Sequence, residues 1–523
     1  MSRVDVIIVG MGPTGVTLAG LLGQRGVSVA IFDRLPDLFP LPRAAGLDHE
    51  AMRIMQELGV VDRVAPHVSP YRPSEYRGTR GQLIKRLDAA PPPFRLGWAP
   101  NYVFEQPAVE RALRARLAEM PNVHLHTCAE VQAVGQDDQG AWAEVRLAGS
   151  DAPQRVTGRY LVACDGGSSP VRKQLGIQLE DLGFDEPWLV VDVIVNDEKL
   201  AQLPQTQVQY CEPERPCTFV VGVGNHRRWE ITLNPGDNLS PEFPHEELWP
   251  LLARWLKPGE GRIWRSAAYR FHGLVAREWR RGRILLAGDA VHMTPPFMAQ
   301  GMMQGLRDAQ NLAWKLEHVL RRGAPASLLD TYQQERRPHV TATTLAAMAL
   351  GRVICERDPQ RAAERDERLL AEQGGEVKTT PRQNLIPTLG DGLIAMATRG
   401  SGCILPQPFV HAGSFAGRLD DLTGAAVRVI ATEPLTPPER SALLEALMPL
   451  GGVLVQLGES APADGPLLRV AEDAEVLRPW IQGLGQRFAV ARPDHYVYGT
   501  ATSATDTVAL LEQFRERLYR PAA

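Results

Sequence analysis

The sequence predicts an α/β protein built around a parallel sheet, and three observations carry that prediction. An apolar run from Val4 to Val9, broken by Asp5, leads into Gly10-Met11-Gly12-Pro13-Thr14-Gly15 and then into the helical run Val16 to Leu22. A second strand pattern, Val27 to Phe32, stops at Asp33. Two later runs end in the same way, at Ala163-Cys164-Asp165-Gly166-Gly167 and at Leu286-Ala287-Gly288-Asp289. Strand, glycine turn, helix, strand and acid in this order describe a Rossmann-like dinucleotide site. The glycines let backbone approach a pyrophosphate, and the helix N-terminus presents free N–H groups and positive dipole to it. Asp33 is placed to accept from ribose hydroxyls. A tight turn alone also calls for glycine, so the weight rests on the context and on the two later runs.

Composition sets ordinary bounds. A chain of 523 residues is long enough for two or three domains. A formal charge of −4 offers no electrostatic case for nucleic acid. No apolar run approaches the roughly 20 residues of a membrane span, and the first strand begins too early for a signal peptide. A soluble, cytoplasmic protein without membrane contact is expected. The cysteines, Cys128, Cys164, Cys211, Cys217, Cys355 and Cys403, are scattered and form no CxxC. Free thiols and no metal site are expected of them. Cys211 and Cys217 could face each other across a hairpin, but a plain structural role is the simpler expectation.

The elements follow in order. Asp48 to Leu58 reads as a helix, and Pro66 to Pro100, rich in Pro and Arg, as irregular connection. A helix spans Glu105 to Met120, followed by strands Val123–Thr127, Glu130–Val134, Ala141–Leu147 and Val156–Ala163. From Pro187 to Phe271 short alternating runs predict antiparallel strands, among them Gln207–Tyr210, Thr218–Val221 and Arg228–Leu233. Arg283–Ala287 returns to the parallel type, and long helices fill Gly301–Arg322 and Leu328–Arg352. A charged helix, Pro359–Gln373, and a Gly/Pro-rich linker, Gly374–Phe409, come next. The last part alternates strand and helix: Val427–Ile430, Pro438–Met448, Gly452–Val455, Ala471–Trp480, Phe488–Val490 and Thr505–Leu518.

Single residues admit two readings. His292 is either a base or a structural histidine supporting the Gly288-Asp289 turn, the latter preferred. Tyr210, Phe219 and Trp229 line an aromatic pocket or belong to ordinary core. Arg321-Arg322 and Arg336-Arg337 read as solvated helix faces and Lys315 as structural; Arg215, Arg227, Arg228 and Arg270 are the candidates for a positive group facing a carboxylated substrate, and all look too exposed to choose among.

With these motifs the chain resembles the FAD-dependent aromatic hydroxylases. These are the single-component flavoprotein monooxygenases typified by para-hydroxybenzoate and phenol hydroxylase. The likeness is to their 3-(3-hydroxyphenyl)propionate hydroxylase branch. The glycine fingerprint, Asp165-Gly166 and Gly288-Asp289 match the family's three signatures. Pro42-Arg43-Ala44, Glu105-Gln106-Pro107 and the run Asp308 to Leu316 match further, so the resemblance covers residues 1 to about 345. It implies an FAD-binding domain from 1–75, 100–186 and 273–350, and a substrate-binding sheet domain from 76–99 and 187–272. A helical connection, 351–400, would lead to a thioredoxin-like domain, 401–523, without CxxC.

The resemblance also implies roles. Gly10, Gly12, Pro13, Thr14 and Gly15 would cradle FAD, Asp33 would bind the adenosine ribose, and Arg34 and Val131 join the cofactor-contacting set. Arg43 and Gln106 would touch the pyrophosphate and ribityl region, and Asp165 would support a motif serving both FAD and NAD(P)H. Asp289 would bind the ribityl chain, and Pro296 would lie beside the reacting flavin edge. The N–H groups of Gly301, Met302 and Met303 would face the pyrimidine end of the reduced flavin. Tyr210, Phe219, Pro295 and Pro296 are the candidate substrate pocket. The family usually reads Gly-Gln-Gly-Met-Asn where this chain reads Ala299-Gln300-Gly301-Met302-Met303. That departure takes away an Asn side chain and puts Ala in place of Gly. The implied reaction consumes NADH or NADPH and O2, and hydroxylates a small phenolic or other activated aromatic through a flavin hydroperoxide. FAD is expected to be non-covalent, no side chain is assigned as catalytic, and a homodimer is compatible. Two alternatives stay open: a flavin-dependent halogenase or reductase, although the tryptophan-halogenase WxWxIP-like stretch is absent, and a non-catalytic dinucleotide-binding module.

Overall fold

A computed structural model describes residues 3–520 apart from 151, 239, 241 and 242. Its described residues form four sheets. In the first, the strands run in the order Ile284–Leu286, Gln154–Ala163, Val4–Val9, Val29–Phe32, Val123–His126, each parallel to its neighbours. These strands are buried on both faces, which explains their unbroken apolar text. The hairpin Ala129–Asp137 and Gly140–Leu147 attaches antiparallel to Gln154–Ala163. The helices Pro13–Gln24 and Gly301–Arg321 pack on this sheet and on each other, with Trp314 and Leu312 wholly buried.

The second sheet centres on the long strands Leu179–Val195 and Gly261–Ala276, continued by His226–Thr232, Cys217–Val221 and Gln207–Tyr210. It extends into a stretch expected to be irregular. Ser74–Arg77 pairs parallel with Gln207–Tyr210, and Leu83–Asp88 pairs with Ser74–Arg77. Val68–Pro70 belongs to a small third sheet with Asn101–Phe104 and Gly46–Asp48. Ser74–Arg77 finds its partner more than a hundred residues away, at Gln207–Tyr210, and local Pro and Arg content did not reveal these strands.

The fourth sheet lies in the C-terminal part. Arg428–Ala431, Val453–Leu457 and Leu467–Glu472 are parallel, and Phe488–Ala491 and Val497–Ala501 run antiparallel on the other side. The run Ala471–Trp480, expected to be one helix, is instead the end of strand Leu467–Glu472 and the helix Leu477–Gly483. Ala471 and Glu472 pair with His411 and Val410, and this strand pairing overrides helical propensity.

Buried charge joins this C-terminal part to the first sheet. Arg492 holds Glu335 through both carboxylate oxygens, at 2.9 and 2.8 Å, and Lys315 and Asn311 donate to the same group. Arg53 grips Asp420, and Tyr496 donates to Glu50 at 3.0 Å. Burial alone would raise the Glu335 pKa, but Arg492 and Lys315 hold it at about 2; Glu57, beside Arg25 and His495, is likewise held at about 2. Unfolded, both carboxyls would return to about 4.5. Their stabilisation is therefore full above about pH 4.5 and is lost as the pH falls toward 2. Urea melts between neutral and acid pH should show stability dropping below that point, and a flat profile would contradict the assignment. Glu335→Ala leaves Arg492 and Lys315 without their carboxylate and should cost about 3–5 kcal/mol, read as a fall in the urea midpoint.

Candidate active site

Parallel order in the first sheet brings the ends of Val4–Val9, Gln154–Ala163 and Ile284–Leu286 to one edge, and with them Gly10, Asp165, Gly288 and Asp289. Gly10 has φ +100°, and a Cβ there would meet the Cys164 carbonyl oxygen at 2.3 Å, so no other residue closes this turn. Above Gly12 a Cβ would meet nothing within 4 Å. Pro13 opens the following helix, whose N-terminus carries no side-chain cap. Thr14 fills the space beside Gly288, where a Cβ would stand 2.5 Å from its hydroxyl, and Gly15 is buried beneath. Asp33 accepts from the N–H groups of Met11, at 2.8 Å, and Leu35, at 2.9 Å, which fixes its carboxylate at the mouth of the turn. Arg34 is exposed, and Val131 lies two residues along a strand that Ala129 N–H ties to the Asp33 carbonyl.

On the far side, Asp289 is exposed to solvent just beyond its strand end. Its carboxylate accepts no hydrogen bond from the described residues. Crowding raises its pKa, with His292 and Arg43 pulling it down and Asp308 pushing it up. His292 is wholly buried and bonded to Asp308 at 2.7 Å, which is the structural reading of that residue. Asp308 also accepts from Gly288 N–H and from Arg336 Nε. Arg336, expected on a solvated face, is buried because Asp308, Gln304 and His339 engage its guanidinium; Arg321 and Arg322 are exposed as expected.

Pro295 and Pro296 lead to the start of the Gly301–Arg321 helix. Ala299, where the family carries glycine, has φ +55° and ψ +35°, a left-handed conformation costing a non-glycine residue about 1 kcal/mol or more. Its Cβ occupies the place a side chain on Gly46 would need, at 2.7 Å. No side chain caps the helix, and the N–H groups of Gly301, Met302 and Met303 find no acceptor among the described residues. Met303 itself is buried. Behind the loop, Arg307 donates to Gln300, Asp48 and Glu50, so a buried ion cluster sets the loop's position.

Other expected residues act inside the protein. Gln106 Oε1 accepts from the N–H groups of Arg43 and Ala44, and its amide nitrogen donates to Glu110. It therefore shapes the Arg43 loop, while the exposed Arg43 guanidinium lies 4.2 Å above the Phe39 ring. Asp165 accepts from Ser169 Oγ and Val171 N–H, which braces its own loop, and burial raises its pKa.

The central sheet turns one face to a helix, His245–Leu252, and the other toward this cleft. Tyr210 and Phe219 lie on the helix-covered face, in one cluster with Trp229, Leu248 and Leu252, and the structure does not bring them together with Pro295 and Pro296. Strand alternation decides this, and no local signal shows which of its two faces meets the cofactor side. The cleft-facing side carries Asp192, Arg228, Glu230 and Arg265, of which sequence reasoning names Arg228 alone. Arg227 and Arg228, expected to be exposed, are buried; Asp192 and the carbonyls of Pro42 and Arg43 occupy Arg228. Trp188, Phe271 and Phe297 close the apolar end beside Pro296.

Open backbone above Gly12, two helix N-termini without caps and a partnerless carboxylate at Asp289 suit a long dinucleotide carrying hydroxyls and anionic groups. Comparison with known proteins agrees. An FAD binding domain model matches residues 3–347, and an HcaD C-terminal domain model matches residues 402–517. A probable NADH-specific resorcinol 4-hydroxylase of Rhodococcus jostii (strain RHA1) is 37% identical over 516 residues, which are 98% of this chain and 94% of that protein. A 3-(3-hydroxy-phenyl)propionate/3-hydroxycinnamic acid hydroxylase of Mycolicibacterium smegmatis (strain ATCC 700084 / mc(2)155) is 31% identical over 97% of this chain and 84% of that protein. Among solved structures, the flavin-dependent monooxygenase PieE, in complex with FAD and substrate, superposes with a TM-score of 0.79. It is 21% identical, with 99% of this chain and 100% of that one covered. Aklavinone-11 hydroxylase in its ternary complex with FAD and aklavinone gives 0.77 at 21% identity, with 99% of each chain covered. The chain belongs to the FAD-binding family of flavin-dependent aromatic hydroxylases.

Proposed function

We propose that the protein hydroxylates a small phenol at the Pro296 end of the cleft, using NADH and O2. The observation that carries this reading is the convergence of the three strand ends and the Gly301 helix N-terminus on one cleft, with the Arg228 face of the central sheet across from them. FAD, when bound, supplies hydride acceptance from the nicotinamide and activation of O2 for transfer to an electron-rich ring. The relatives' substrates, resorcinol and 3-(3-hydroxyphenyl)propionate, support a phenol, and the NADH specificity of the Rhodococcus protein supports NADH.

In this reading Gly10, Gly12, Pro13, Thr14 and Gly15 receive the pyrophosphate, Asp33 holds the ribose, and Arg34 and Val131 flank the adenosine side. Arg43 reaches the pyrophosphate and ribityl region from a loop shaped by Gln106. Asp165 works through its braced loop, and Asp289 accepts from ribityl hydroxyls. Pro295 and Pro296 border the reacting ring, and the N–H groups of Gly301, Met302 and Met303 stabilise negative charge on the flavin. Trp188, Phe271 and Phe297 keep water from that end, which suppresses wasteful release of hydrogen peroxide. We place the FAD-binding domain at 1–75, 100–186 and 273–350 and the sheet domain at 76–99 and 187–272, joined through 351–400 to a thioredoxin-like domain from 401. The strand order Val453–Leu457, Arg428–Ala431, Phe488–Ala491, Val497–Ala501, with helices Pro437–Leu447, Leu477–Gly483 and Ala504–Tyr519 between and after, supports that last assignment. Without CxxC it carries no dithiol chemistry.

The protein should purify yellow, and acid precipitation should release all flavin to the supernatant; flavin left in the pellet would refute non-covalent binding. Asp289→Ala removes the ribityl acceptor and should weaken FAD by about 1–3 kcal/mol, seen as flavin loss on dialysis from a folded protein. Unchanged flavin affinity would reduce Asp289 to a structural cap. Phenols and hydroxypyridines should be screened with NADH and NADPH while product and peroxide are measured together. A substrate should speed NADH oxidation and give hydroxylated product with little peroxide. Peroxide alone from every aromatic would point to another flavin oxidoreductase, and a colourless protein to a dinucleotide-binding module.

A further inference from the structure

Alternate residues of His226–Thr232 share a face, so Arg228, Glu230 and Thr232 point together, away from Trp229 and Ile231 in the helix-covered core. This row is anchored at both ends. Arg228 donates to the Pro42 and Arg43 carbonyls beside the cofactor cleft. Thr232 pairs with Trp188, whose ring lies 5.6 Å from that of Phe297, next to Pro296. Glu230 stands between the anchors, opposite Val190 on one neighbouring strand and Thr218 on the other. It is only 8% exposed, yet among the described residues no donor hydrogen-bonds its carboxylate. The Arg228 guanidinium comes no nearer than 3.7 Å because Asp192 engages it, and Arg265 donates to the Pro42 carbonyl. A carboxylate so enclosed and without a donor costs free energy that a ligand hydroxyl would recover.

We propose that Glu230 receives the hydroxyl hydrogen of the aromatic substrate and thereby selects neutral phenols over carboxylated ones. The inference rests on the hydroxylase reading above. The substrate O–H bond breaks, a new O–H bond forms on the Glu230 carboxylate, and the electron pair stays on the ring oxygen. A free phenol titrates near about 10, but its hydroxyl grows more acidic as oxygen transfer draws electron density from the ring. The proton transfer then runs downhill within that step, and the proton returns to the ring oxygen in the product. Burial pushes Glu230 up to about 7; Arg228 and Arg265 oppose this and Asp192 adds to it. The Cys217 thiol on the adjoining strand is a further titratable neighbour. Glu230 is thus a stronger base than an ordinary carboxylate.

The test uses the flavin-loaded protein and two probes, resorcinol and 3-(3-hydroxyphenyl)propionate, titrated by the change in flavin absorbance across neutral pH. With the parent protein, resorcinol should bind more tightly as the pH rises through about 7, and the carboxylated probe should bind less tightly. Glu230→Gln should weaken resorcinol about tenfold or more on the alkaline side, flatten its pH dependence, and leave the carboxylated probe unchanged or improved. Glu230→Asp should restore part of the resorcinol affinity and its pH dependence. Equal losses for both probes, or resorcinol affinity and turnover unchanged in Glu230→Gln, would overturn the proposal. If neither probe nor any other phenol perturbs the parent flavin, the hydroxylase reading fails and this inference falls with it.

Discussion

The carboxylate of Asp308 holds together three pieces of chain, the Gly288 turn, His292 and the helix carrying Arg336. One oxygen accepts from Gly288 N–H and His292, and the other from Arg336. Burial alone would raise the pKa of this group, but His292 and Arg336 overrule it and hold it below the ordinary value. The Gly288 turn is thereby fixed relative to both long helices, and Asp289 projects from that turn. Gly288, His292 and Arg336 are arranged around this single buried charge, so the position of Asp289 follows from it.

A second chain of contacts runs behind the flavin loop into the C-terminal part. Tyr496 donates to Glu50, Glu50 and Asp48 accept from Arg307, and Arg307 holds Gln300 next to the left-handed Ala299. Ala299 cannot relax toward Gly46, whose missing side chain is what makes room for it. The loop is pinned from below by ions and from the side by steric contact, and that pinning offsets the backbone strain of a non-glycine residue at this point.

Much of this architecture was legible in the chain. Strand and helix runs in the first sheet carry strong periodicity, and the glycine and acid at each strand end mark the cofactor edge without coordinates. Legibility failed where a residue's environment is set by remote partners. Arg336 has the text of a surface arginine, yet Asp308, twenty-eight residues earlier, draws it into the core. Tyr210 and Phe219 alternate as pocket residues would, but alternation cannot say which face meets a helix. Glu230 carries no motif at all; only pairing with Val190 and Thr218 shows where it points. Ser74–Arg77 and Leu83–Asp88 become strands because Gln207–Tyr210 lies beside them.

The ion pairs that cross to the C-terminal part also bear on how the protein is made. Synthesis delivers Gly10 and Asp33 first, Asp289 midway, and Arg492 and Tyr496 last. Until those last residues arrive, Glu335 lacks Arg492 and Glu50 lacks Tyr496. A nascent chain can assemble the Gly10 and Asp33 side of the first sheet on the ribosome. The Gly288 and Gly301 side gains these contacts only once Arg492 and Tyr496 have been made. A message broken off before Arg492 would yield a product in which Glu335 and Glu50 lack these two partners.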